Sequence, residues 1–201
     1  MIKTLIFLAS AAVIAVAGTD EVVNGAIALL SGTGVTGNVT FVDQADGKVR
    51  VTGRIVGLLA GEYGFHVHQK GDITGGCAST LSHFNPYGKQ HGHPEDENRH
   101  VGDLGNIHFD ETGTANINFV DSMIKLSGPS SIIGRGLVLH ERNDDYGRSL
   151  HPDSKTTGNA GGRVACGVIG ILDSRNNGNK AASAFVLIAT LAFSIVFSFM
   201  L

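Results

Sequence analysis

The 201-residue chain has no tryptophan, 6% aromatic residues, four prolines and only two cysteines. Charged residues make up 16% of it, with a formal net charge of −3. Each shortage excludes something. Two cysteines cannot build a four-cysteine zinc site or a disulfide-dense scaffold, although they can form one bridge. A small net negative charge leaves no electrostatic footprint for nucleic acid, so no such partner is expected. Few charges alongside 28 glycines argue against a coiled coil. No window sustains an apolar stripe at i, i+3, i+4, i+7 over three turns, which removes long amphipathic helices. What remains is a chain of one-domain length with an excess of histidine, nine in all.

Both ends are set apart from the fold. Residues 1–17 carry Lys3, then an almost unbroken apolar run that ends in Ala15-Val16-Ala17. A positive start, a short apolar core and an A-x-A end are the parts of a secretory signal peptide. At the other end, 184–201 is uncharged and follows the small, polar stretch 174–183. As a helix that tail would span about 27 Å, barely a bilayer core. Small residues, a polar spacer and an apolar tail are the elements of a GPI-anchor signal, which is favoured over a single-pass helix. The organisation expected is therefore a signal at 1–17, a domain at 18–175, and a spacer with an anchor signal at 176–201. This places the domain outside the cell, anchored at the outer face of the plasma membrane. There a disulfide persists, and the sequon Asn38-Val39-Thr40 is a glycosylation candidate.

Short β-rich runs recur through the middle, at 26–30, 37–42, 48–56, 63–68, 105–109, 114–120, 136–140 and 164–172. Period-two alternation is clear in Val49, Val51, Ile55 and in Ala115, Ile117, Phe119, as expected of strands wetted on one face. Asp46-Gly47 and Thr112-Gly113 mark hairpin turns. The fold class expected is all-β, an eight-stranded Greek-key sandwich or barrel. Two stretches, 69–103 and 141–162, resist strand assignment, and loops of that length in a compact domain are commonly functional.

The histidines gather around the first of these loops. His66-Val67-His68 lies in a strand-like run, where period two turns both imidazoles to one face. His83, His91, His100 and Asp103 follow, three imidazoles and a carboxylate that make a tetrahedral zinc set. His140 ends a late apolar strand. A wholly imidazole set suits copper in either oxidation state. A patch of histidines without defined geometry explains their number but not their placement.

At this level of detail the sequence resembles the copper/zinc superoxide dismutases. The likeness rests on GFHVHQKGD (64–72), HFNPYGKQHGHPEDENRHVGDLGNI (83–107), IIGRGLVLHERNDDYG (132–147) and GNAGGRVACGVIGI (158–171), in order, across about residues 26–173. It implies copper held by His66, His68, His83 and His140. It implies zinc held by His83, His91, His100 and Asp103, with His83 shared as an imidazolate. Asp144 is implied as the carboxylate joining His66 to His91, and Cys77–Cys166 as the disulfide. Arg163 is implied as the cation that draws the substrate, superoxide, to the copper, and Thr157 as its neighbour narrowing the channel. Eukaryotic members of the family commonly form homodimers. The stretch 148–157 departs from the family in its charges, and Arg142 is a source of compensating field. His93, His108 and His151 read as surface residues. The rival from another class is a copper-buffering surface protein without turnover, which would not need Arg163.

Overall fold

The computed structural model of the chain describes residues 21–176; the expected signal peptide and nearly all of the spacer and anchor segment lie outside the described residues. Eight strands follow in order: β1 (Glu21–Gly32), β2 (Val35–Asp43), β3 (Val49–Val56), β4 (Gly61–His68), β5 (Asp103–Phe109), β6 (Thr114–Asp121), β7 (Gly136–His140) and β8 (Arg163–Asn176). Among the described residues, helical structure is confined to a 3-10 turn at Gly76–Thr80 and a single turn, α1 (Ser154–Thr157). No helix among them is long and apolar enough to cross a membrane.

The strands form one antiparallel sheet in the order β5-β4-β7-β8-β1-β2-β3-β6. Its two outer strands meet at the β5–β6 hairpin, where the Asp110 amide donates to the Thr114 carbonyl at 2.9 Å. The sheet thus curls into a nearly closed barrel. Hairpins join β1, β2 and β3, whereas the β3–β4 and β6–β7 connections cross between the two halves, a Greek-key path. Both expected turns are hairpins, and Gly47 (φ 77°) and Gly113 (φ 73°) take left-handed conformations that a Cβ would disfavour.

Alternation decides which side chains fill the barrel. Val39 and Phe41 of β2, Val49, Val51 and Ile55 of β3, and Ala115 and Ile117 of β6 point inward and are buried. Two strands break the rule. Phe65, His66, Val67 and His68 at the end of β4 are all buried, and so is the whole of β7. Phe65, Val67, Leu137 and Leu139 belong to the apolar core. The intervening residues face outward and are covered by the two long loops. A histidine-bearing face is thus sealed from bulk water although it lies outside the barrel core.

The first loop is tied down covalently. Cys77, in the 3-10 turn, is bonded to Cys166 of β8 across a sequence separation of 89, with Cα atoms 5.6 Å apart.

Candidate metal centre

Backbone pairing brings the ligands together before any side chain is considered. In the β4–β7 ladder Phe65 faces Leu139 and His66 faces Val138, which sets His140 on the same face of the sheet as His66 and His68. His68 also pairs with His83 in an isolated bridge, and His66 faces Asp103 across a register shift between β4 and β5. A second shift, between Leu139 and His140, interrupts the register of the β7–β8 ladder. Such irregularities re-aim side chains next to functional sites.

Two ligand sets result. One ligand atom from each of His66, His68, His83 and His140 lies within 4.8 Å of the others, and the same holds for His83, His91, His100 and Asp103. All seven residues are buried. His83 belongs to both sets.

Hydrogen bonds fix which ring nitrogen carries a lone pair. His68 Nδ1 donates to the Leu81 carbonyl at 2.6 Å and His140 Nδ1 to the Gly161 carbonyl at 3.2 Å. Carbonyls only accept, so both Nε2 atoms bear lone pairs, and they face each other at 3.2 Å. His66 Nε2 and His91 Nε2 donate to the two oxygens of Asp144, at 2.9 and 2.7 Å. That leaves Nδ1 of each ring turned away from Asp144. His66 Nδ1, His83 Nε2 and His91 Nδ1 are buried without a hydrogen-bond partner. In the second set, Nδ1 of His83, His91 and His100 lies 2.8, 3.0 and 3.1 Å from Asp103 Oδ1. The His91 contact is close but too poorly aligned to be a hydrogen bond, as befits groups aimed at a common point beside them.

Buried lone pairs facing one another are costly unless a cation lies among them. The donor chemistry passes the test for metal. Four ligand atoms about 2.0–2.1 Å from a tetrahedral zinc stand about 3.3 Å apart, close to the spacings around Asp103. The set of four imidazoles suits copper.

Charge tells the same story. Burial, reinforced by the neighbouring imidazole of His83, pushes His66 and His68 well below the usual imidazole range and His140 down to about 4. These rings are neutral at physiological pH and keep their lone pairs. Burial also acts on His91, but the close Asp103 carboxylate and the hydrogen bond to Asp144 outweigh it and raise its pKa to about 9. Burial would raise both carboxylates, yet their histidine partners hold Asp103 and Asp144 well below the carboxylate range. The second set, with the ionised carboxylate of Asp103 among its ligands and that of Asp144 behind His91, is built for positive charge.

A cavity of about 340 Å³ opens onto the all-imidazole set and is lined by His68, His83, His140, Arg142, Thr157 and Arg163, among others. Arg163 is held by backbone: Nη1 donates to Cys77 O at 2.6 Å and Nη2 to Leu81 O at 2.5 Å. Its charge is thereby fixed at the mouth of the site. Arg142 adds a second cation to the lining, opposed there by Asp153. A larger cavity of about 800 Å³, beside β6 and Tyr146, contains no residue of either ligand set.

The remaining histidines stay apart from both sets. His93 packs its ring 4.6 Å from Tyr146. His108 pairs with Glu62 at 3.0 Å and His151 with Asp153 at 3.9 Å, all largely exposed.

Three supporting features escape sequence reasoning. Asn106 grips Asp144 by its backbone, donating to the carbonyl at 2.9 Å and accepting from the amide at 2.7 Å. Arg99, almost wholly buried, pairs with Asp121 at 2.5 Å and donates to the Asp103 carbonyl at 2.8 Å, bolting the ligand loop to the end of β6. Neither pairing leaves a local signal in the chain. The third is Gly158 (φ 65°), where a Cβ would sit 2.0 Å from Asp144 Oδ1 and 2.5 Å from His91 Nε2. Only glycine leaves room for that bridge. Gly158→Ala is therefore expected to lower zinc affinity about 10–100-fold, the usual cost of disturbing groups that orient ligands. Chelator competition measures it; unchanged affinity would show that the Asp144 bridge does not set the ligand geometry.

A nearly closed Greek-key barrel whose two buried ligand sets share one imidazole defines a class of protein by itself. The family model for copper/zinc superoxide dismutase (SODC) matches residues 35–169, and the chain belongs to that family. Among solved structures it is similar to the clock protein EA4, at 65% identity and a TM-score of 0.74, covering 75% of this chain and 96% of that one.

Proposed function

We propose that this protein dismutes superoxide to dioxygen and hydrogen peroxide. The observation that carries this reading is His83, whose two ring nitrogens face two different ligand sets, beside a cavity that also holds Arg163. A protein that merely stored copper would need neither a shared imidazole nor a fixed cation at the mouth.

His66, His68, His83 and His140 would hold copper, and His83, His91, His100 and Asp103 would hold zinc. Copper supplies one-electron redox chemistry; zinc supplies fixed charge. The chain does the rest. Arg163 attracts a small anion and orients it, because its guanidinium is permanently charged and cannot swing away from its carbonyl partners. Thr157 narrows the approach. His83 Nε2, buried and without a partner, is the atom placed to take a proton and return it to the departing peroxide. Asp144 keeps His66 and His91 in the tautomers that present Nδ1.

The N-terminal signal and C-terminal anchor expected from the sequence support a place at the outer face of the cell, with GPI attachment favoured. The disulfide fits an oxidising compartment. Exposed Ile73, Val168 and Ile171 support pairing of two copies, as the family implies. EA4's name as a clock protein concerns that protein; here the site speaks for turnover.

The test is superoxide decay after pulse radiolysis, with the metal-loaded protein and Arg163→Ala compared across ionic strength. Decay should be catalytic in the wild type, and about tenfold or more slower in the variant, with a weaker dependence on salt. Stoichiometric copper without turnover would instead identify a copper-holding surface protein.

A further inference from the structure

Asn38 occupies the middle of β2, where asparagine is a poor choice. A nine-residue strand inside a sheet favours β-branched and aromatic residues, and Asn38 does nothing there that would explain it. Its side chain is exposed and makes no hydrogen bond among the described residues. Val39 and Phe41 point into the core and are fully buried, so Asn38 and Thr40 share the outward face. Across the ladder Asn38 faces Leu29 of β1 on one side and Arg54 of β3 on the other. Arg54 turns away, donating to Thr114 Oγ1 at 3.2 Å. Leu29 is left 68% exposed. An accessible asparagine of an Asn-Val-Thr triplet thus stands beside an uncovered leucine. In the sheet order, β1 and β8 separate it from the histidine-bearing strands β4 and β7.

From this juxtaposition we infer that Asn38 carries an N-linked glycan, and that the glycan, not protein, covers Leu29. The inference rests on entry into the secretory pathway. Transfer takes place on the extended chain, so later strand pairing does not oppose it; folding must only leave the Asn38 face free. Asn38 Nδ2 attacks the anomeric carbon of an oligosaccharide linked to a lipid pyrophosphate. The N–C bond forms, the C–O bond to pyrophosphate breaks, the lipid pyrophosphate leaves, and the amide gives up one proton. The innermost sugar then lies on the outer face of β1 and β2, where its apolar side contacts Leu29.

Full-length protein expressed in animal cells, alongside Asn38→Gln and Thr40→Val, tests this directly. The protein should reach the cell surface or medium with a mass that peptide N-glycosidase lowers, and neither variant should show that shift. Leu29→Cys is then treated with a bulky maleimide in the glycosylated and the Asn38→Gln backgrounds. The glycosylated form should react at least several-fold more slowly, and both forms should sediment alike. Failure to enter the secretory pathway overturns the localisation reading and the glycan with it. Protein that is exported but unmodified overturns the glycan alone. Equal labelling rates, whether fast or slow in both forms, overturn the covering of Leu29.

Discussion

His83→Ala should abolish rapid dismutation and weaken the binding of both metals at once. No other side chain stands in both ligand sets. Its Nδ1 lies 2.8 Å from Asp103 Oδ1, and its Nε2 is buried without a partner on the opposite side. Alanine removes one ligand from each set. It also removes the proton-carrying nitrogen, and positioned proton transfer alone contributes about 10²–10⁴-fold. The catalytic rate constant should therefore fall by at least about 100-fold. Copper and zinc, titrated separately, should each bind more weakly than in the wild type. The barrel should survive, because its core lies on the other face of β4 and contains no histidine; circular dichroism and an intact disulfide verify this. A variant within tenfold of the wild-type rate would show that the two sets are not coupled through this ring.

The second large effect comes from the disulfide. Cys77 and Cys166 are 89 residues apart, and closing a loop of that length contributes about 4–5 kcal/mol in the chain-entropy estimate. Cys77→Ser/Cys166→Ser should accordingly lower Tm by about 10–15 °C for a domain of this size. The consequence for activity follows from a different bond. Arg163 Nη1 donates to the carbonyls of Cys77 and Ala78 at 2.6 and 3.2 Å and to Thr80 Oγ1 at 3.0 Å. The bridge thus steadies the segment that holds the guanidinium. With it removed, turnover should fall and lose part of its sensitivity to salt even well below Tm. A stable variant with an unchanged salt profile would show that noncovalent packing holds the 76–81 segment unaided.

Much of this was legible in the chain. Short β-rich runs between turn residues marked all eight strands, and alternation was clear in β3 and β6, because a sheet with one face in a core imposes period two on its sequence. Val49, Val51 and Ile55 could not have served a helix stripe. His66-Val67-His68 announced a shared face for the same reason, and the motifs around His83 and His140 carried the family resemblance. The two long loops stood out because nothing periodic ran through them. Turn chemistry at Asp46-Gly47 and Thr112-Gly113 named its own hairpins.

What the chain by itself determined, then, was periodicity, punctuation and the supply of ligands, all of them local properties. The tertiary structure decided which nitrogen of each histidine is free, since that depends on carbonyls at Leu81 and Gly161 and on the oxygens of Asp144. It decided that Arg99 reaches Asp121 and that Asn106 grips Asp144. It also decided that position 158 admits no Cβ. Each of these links residues distant in sequence or depends on a gap of a few tenths of an ångström. Residue order specifies such contacts only after eight strands have closed and the loops have folded over β4 and β7, because hydrogen-bond direction and steric clearance are properties of positions in space.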